Sequence, residues 1–139
     1  MANDPDYVKV LKGCDTAAVG GAVLDALSKL FERDGKLLSV DAAERTIAAQ
    51  IAHHLRPHFE GFDIDVDYNR MGDAPKAVAY DETPERVYPD IVVHTRGDNT
   101  ANVLVIELKK DTNREPKDRD IRKLRAYLRE LDYRHALFL

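Results

Sequence analysis

The sequence predicts an α/β fold, a mixed sheet flanked by helices, with elements in the order α, α, β, β, β, α, β. Three observations predict it. Two N-terminal stretches repeat apolar residues at helical spacing, a central region alternates and then gives two β-branched runs, and a basic amphipathic stretch leads into a terminal apolar run. Periodicity alone leaves the strand order open.

Residues 1–15 are polar, with Pro5 early, and predict no element. Residues 17–33 are rich in Ala and Leu, and Val23, Leu27, Leu30 and Phe31 form a helical stripe. Gly20-Gly21 weakens the front, so the helix should start near Ala22 and end at Asp34-Gly35. The glycine pair is no phosphate loop, since no Gly-Lys-Ser/Thr follows. A second helix should open at Asp41-Ala42-Ala43-Glu44 and run to about Arg56, with Ile47, Ile51 and Leu55 as its buried stripe and Pro57 closing it. Asp41 and Glu44 have the spacing of a capping box. His53, His54 and His58 suggest zinc at first sight, but Pro57 interrupts the helix and no paired cysteine ligand accompanies them, so a structural role is preferred.

Residues 62–68 alternate: Phe62, Ile64, Val66 and Tyr68 point one way, and Asp63, Asp65 and Asp67 the other, as in a half-buried strand. A turn over residues 69–76 and a Pro-containing connector over 77–86 lead to the most informative stretch, residues 89–110. There two apolar runs, IVVHT and NVLVIELKK, flank a loop with the Gly, Asp and Asn that turns require, which predicts a β-hairpin. Registered on a tip at Gly97-Asp98-Asn99-Thr100, Arg96 pairs with Ala101 and Asp90 falls opposite Glu107. With a period of two, Glu107 and Lys109 share a face, as do Asp90, Val92 and His94. Pro89 suits the start of such a strand.

Like charges directly opposite in a sheet are destabilising, and a carboxylate inside VLVIEL is costly to bury alone. A divalent cation resolves both problems: two carboxylates and water make a hard oxygen site of the kind Mg²⁺ accepts. A cation so held acidifies water and neutralises phosphate charge, and an adjacent ammonium can position that water or stabilise the same oxygen. Pro89-Asp90 with Glu107-Leu108-Lys109 resembles the signature of the PD-(D/E)XK nuclease superfamily, and DVDYNR (65–70) and DIRKL (120–124) extend the resemblance over roughly residues 40–139. The resemblance implies a restriction-endonuclease-like core (α-β-β-β-α-β), here with an extra N-terminal helix. It also implies Mg²⁺, with Mn²⁺ as a substitute, held by Asp90, Glu107 and the Leu108 carbonyl. Lys109 would act on the water, and Glu44, on the first core helix, would be a third ligand or a supporting acid. Arg70, Lys76, Lys110 and Lys123 are the candidate phosphate contacts, Lys123 facing the site. His94, on Asp90's face, is expected to be structural or to contact substrate.

Asp118 or Asp120 should cap the last helix, in which Ile121, Leu124, Leu128 and Leu131 form the buried stripe, with Tyr127 beside them. Arg122, Arg125 and Arg129 then lie mainly outside. Residues 136–139 read as the opening of a fourth strand. The 139 residues suit one domain, residues 1–38 as extension and helix and 39–139 as core. A content of 44% hydrophobic and 33% charged residues is that of a soluble globular protein, with no apolar run long enough for a membrane span and no signal-peptide layout. Cys14 is the sole cysteine, so no internal disulfide can form and a cytoplasmic setting is expected. The net charge of −4 hides an asymmetry. Residues 1–108 carry 11 Lys+Arg against 19 Asp+Glu, or −8, while residues 109–135 carry 10 against 6, or +4. That basic segment is where a phosphate backbone would be held.

The expected function is therefore metal-dependent cleavage of nucleic acid, DNA first, with a homodimer favoured if both strands of a duplex are cut. The alternative is an inactive nuclease-fold module that binds nucleic acid or a protein partner. Nothing suggests a small-molecule enzyme: no nucleotide loop, nucleophile elbow or metalloprotease helix is present.

Overall fold

The computed structural model describes residues 15–68, 88–98, 101–110 and 117–139, together with the backbone of 77–78 and 85–86. Helix α1 (Thr16–Arg33) begins six residues before the expected start at Ala22. The Asp15 carboxylate accepts from the Ala18 N–H at 2.8 Å, and Val19 and Ala22 are buried within the first two turns. Together the cap and the burial offset the two glycines, which face solvent. The stripe also differs at one end: Phe31 is 66% exposed, and the buried face is Val19, Ala22, Val23, Ala26 and Leu30.

A short helix α2 (Gly35–Ser39) precedes α3 (Glu44–Leu55), which continues into a 3-10 turn at Arg56–His58. The expected capping box does not form. Ala43 is the N-cap of α3, without a side-chain bond, and Asp41 adopts a left-handed φ of 52°. Its carboxylate instead pairs with the Lys110 ammonium at 3.2 Å, a tertiary contact that displaces the local one. Two of the three histidines tie this region to α1, His54 to Asp34 at 2.7 Å and His58 to Asp25 at 2.6 Å, which leaves no zinc cluster among the described residues.

Strands β1 (Asp63–Val66), β4 (Ile91–His94), β5 (Leu104–Glu107) and β6 (His135–Phe138) form a four-stranded mixed sheet in the order β1-β4-β5-β6. The first two junctions are antiparallel and β5/β6 is parallel, with α4 (Lys117–Glu130) as the crossover. Strands β2 (Ala77–Val78) and β3 (Glu85–Arg86) pair as a separate antiparallel ribbon where the sequence suggested only a connector.

Alternation in the central strands divides two cores. Ile91, Val93, Leu104 and Ile106 pack on α1 and α3, while Val92 and Val105 pack on Leu124, Ala126 and Tyr127 of α4. The arrangement is a three-layer α/β sandwich. Both central strands are buried on both faces, which is why they read as continuous apolar runs. Tyr68 departs from the expected alternation: Asp67 has a φ of 54°, the chain turns over, and Tyr68 lies with the α4 core rather than with Ile64 and Val66. In α4, Ile121 and Leu128 are 38% and 42% exposed, so the buried face is narrower than the expected stripe. The buried Asn102 amide donates to the Leu131 carbonyl at 2.7 Å and fixes the end of α4. Among the described residues no helix is long and apolar enough to cross a membrane.

Candidate functional site

The β-hairpin carries the site, and its register is the one read from the turn and the alternation. Ile91 pairs with Ile106 and Val93 with Leu104, so one residue further Asp90 stands opposite Glu107. The expected Arg96–Ala101 pair is not formed: the ladder ends at Val93–Leu104, the Arg96 N–H donates to Asp63 at 3.0 Å, and an isolated Thr95–Asp98 bridge, with the Asp98 N–H donating to the Thr95 carbonyl at 3.1 Å and Gly97 at a φ of 75°, makes a local turn beyond it. Pro89 lies just before β4, where its missing donor breaks no ladder bond.

Asp90 stands opposite Glu107, and the Asp90 carboxylate accepts the Leu108 N–H at 2.7 Å. Glu107 is only 3% exposed. Its Oε1 accepts from the Tyr127 hydroxyl at 2.8 Å and lies 3.7 Å from the Lys123 ammonium. Burial first, and then the charge of Asp90, push the Glu107 carboxyl up to about 8, against the pull of Lys123 and Tyr127. Burial likewise raises Asp90, with the Leu108 N–H and Glu107 acting in the opposite sense. Burial therefore favours the protonated form of the Glu107 carboxyl at neutral pH. Burial and the adjacent Glu107 raise the Tyr127 hydroxyl, keeping it a donor.

Lys109 follows on the same face. Its ammonium is 5% exposed and pairs with Asp120, in the first turn of α4, at 2.9 Å. Sequence reasoning offered a capping role for Asp120; the docked helix brings Asp120 to Lys109 and Lys123 to Glu107. The backbone here is clamped from the other side, with Leu139 N–H donating to the Glu107 carbonyl at 3.0 Å and Lys109 N–H to the Leu139 carbonyl at 2.9 Å.

The remaining expected residues are placed differently. Glu44 accepts the Lys110 N–H at 3.1 Å and, with Leu27, Phe31, Ile47 and Leu108, lines a cavity of about 390 Å³ beside α1 and α3. It thus holds the strand end that follows Lys109, and Lys109 and Lys110 line the same cavity. The Lys110 ammonium binds the Ala42 carbonyl at 3.0 Å as well as Asp41, so it braces the turn into α3. Arg70 and Lys76 lie outside the described residues. His94, 2% exposed, bonds Asp65 at 2.7 Å and stacks edge-on against Tyr68 with centroids 4.5 Å apart. The acids of β1 are partnered rather than merely solvated: Arg96 grips Asp65 through two bonds, and Arg45 meets Asp67 at 2.6 Å.

Tyr127 and Asp120 are the site residues that sequence reasoning passed over. A signal existed for Tyr127, because it stands four residues after Lys123 and the two must share one helix face. Asp120 gave no comparable signal.

The donor set bears on a metal directly. Two carboxylates held side by side, each raised by burial, gain from a cation that lets both ionise, and their oxygens are the hard donors Mg²⁺ takes. Among the described residues no group of three or more His, Cys, Asp or Glu that could hold a metal ion occurs. Compared with family models, with curated proteins and with solved structures, the chain finds no match in any of the three.

Proposed function

We propose that the chain is a metal-dependent phosphodiester hydrolase of PD-(D/E)XK type, acting on nucleic acid with DNA as the first substrate class. The observation that carries this reading is the register that sets Asp90, just before β4, opposite Glu107 of β5, two residues before Lys109. With the β2–β3 ribbon set aside as an insertion, the order helix, three sheet strands, helix, strand, with two antiparallel junctions and one parallel, supports it as well.

In this reading Asp90 and Glu107, with the Leu108 carbonyl, would hold Mg²⁺, which would supply Lewis acidity and charge neutralisation. Asp120 holds the Lys109 ammonium in place at 2.9 Å, where it would orient the attacking water and stabilise a phosphate oxygen. Tyr127 fixes the Glu107 carboxyl. In the reaction the water oxygen bonds to phosphorus, the bond from phosphorus to the 3′ oxygen breaks, and a 5′ phosphate remains. The test is cleavage of plasmid, single-stranded DNA and RNA with Mg²⁺ or Mn²⁺. The expected result is metal-dependent cutting that Lys109→Ala reduces by a hundredfold or more, about 3 kcal/mol in the barrier. Equal inactivity of wild type and Lys109→Ala on every substrate removes the reading.

A second reading is an inactive module of the same architecture. The depth of Glu107, already engaged by Tyr127 and Lys123, favours it. Calorimetry separates the two: a module of this kind shows no Mg²⁺ heat that Asp90→Ala abolishes.

A further inference from the structure

Two lysines stand over the acid face, and they are not equivalent. Lys109 has a carboxylate of its own in Asp120 at 2.9 Å. Lys123, from α4, has Glu107, and approaches the same Oε1 that Tyr127 holds. With side chains of 19% and 5% exposure, Lys123 is the better hydrated partner, and its flexible stem lets the ammonium leave while Glu107 stays.

We propose that Lys123 is the resident counter-ion of the Asp90–Glu107 pair and that a divalent cation enters only as the Lys123 ammonium withdraws. This rests on the proposed metal site but goes beyond it, because it assigns Lys123 to the cation's own place rather than to a phosphate. The argument is one of charge and space. A cation bound by both carboxylates lies about 2 Å from its oxygens. An ammonium 3.7 Å from one of those oxygens would then face a double positive charge across a gap too short for solvent to screen. Lys109, neutralised by Asp120, need not move. Two consequences follow. The site holds its geometry without metal, since Lys123 and Tyr127 occupy Glu107, and its metal affinity is set below what the two acids alone would give. The displaced ammonium, still tethered to α4, is released towards solvent.

The test is Mg²⁺ titration by calorimetry on the full chain as wild type, Lys123→Met, Lys123→Arg and Asp90→Ala. Circular dichroism melts confirm that each is folded. The expected result is binding at least ten times tighter in Lys123→Met than in wild type, wild-type-like or weaker binding in Lys123→Arg, and none in Asp90→Ala. Equal or weaker binding in Lys123→Met, with Asp90-dependent binding in wild type, overturns the counter-ion role and leaves the metal site standing. Absence of Asp90-dependent binding in both wild type and Lys123→Met overturns both. Should Lys123→Met melt early, Lys123→Gln, which keeps a polar end, decides by the same criterion.

Discussion

Glu107→Gln removes one ionisation from the centre of the α4 core while keeping an acceptor for Tyr127. The buried Glu107 carboxyl titrates near 8 in the folded chain, against 4.5 for the exposed group. The folded state thus binds the proton more tightly than the unfolded state. This contribution to stability is fully present below pH 4.5 and is lost as pH rises through about 8. At about 1.4 kcal/mol per pH unit, metal-free wild type should lose roughly 3 kcal/mol between pH 5 and pH 8 that Glu107→Gln does not lose. Urea denaturation of both proteins in chelator, at half-unit steps of pH, reads the difference directly. Parallel curves would show that Glu107 is ionised at no greater cost in the fold than in water, and the account of a strained carboxylate pair would fall.

Alanine at Gly20 and at Gly21 should each stabilise α1 by roughly 0.5–1 kcal/mol, since a Cβ at either position meets nothing within 4 Å; a thermal melt that falls instead would contradict the helical backbone there. Burial raises the Asp65 carboxyl, but Arg96 and His94 outweigh it and hold it below the ordinary carboxylate range. Its contribution to stability is therefore present above pH 3.8 and lost as pH falls below that. Asp65→Ala should cost about 2 kcal/mol at neutral pH by leaving the buried His94 without its acceptor, and should flatten the acid limb of the denaturation profile.

The parts of the fold visible in the sequence are those in which a local pattern and the tertiary contact agree. The hairpin register follows from alternation plus the Gly97 turn, and a slip of one residue would have moved Glu107 to the other face. Where a distant partner intervenes, the local reading fails. Asp41 carries a capping signal, yet Lys110 captures its carboxylate from the far end of β5. Gly20-Gly21 carries a breaking signal, yet Asp15 and the buried faces of Val19 and Ala22 hold the helix across it. Asp67 alternates on paper, yet its left-handed backbone turns Tyr68 over. At the site, the two acids and Lys109 are visible as a spacing and Lys123 through the DIRKL resemblance, whereas the roles of Asp120 and Tyr127 depend on how α4 docks, which no local rule specifies.

The clamp that Leu139 places on the peptide groups flanking Leu108 has a bearing on biosynthesis. Because β6 is the parallel neighbour of β5 and follows α4 in the chain, a nascent polypeptide that has emerged only as far as the hairpin lacks both the helix and the edge that immobilise Glu107 and Lys109. On the ribosome the two acids would therefore stay hydrated until α4 and β6 have emerged and the crossover closes over Glu107.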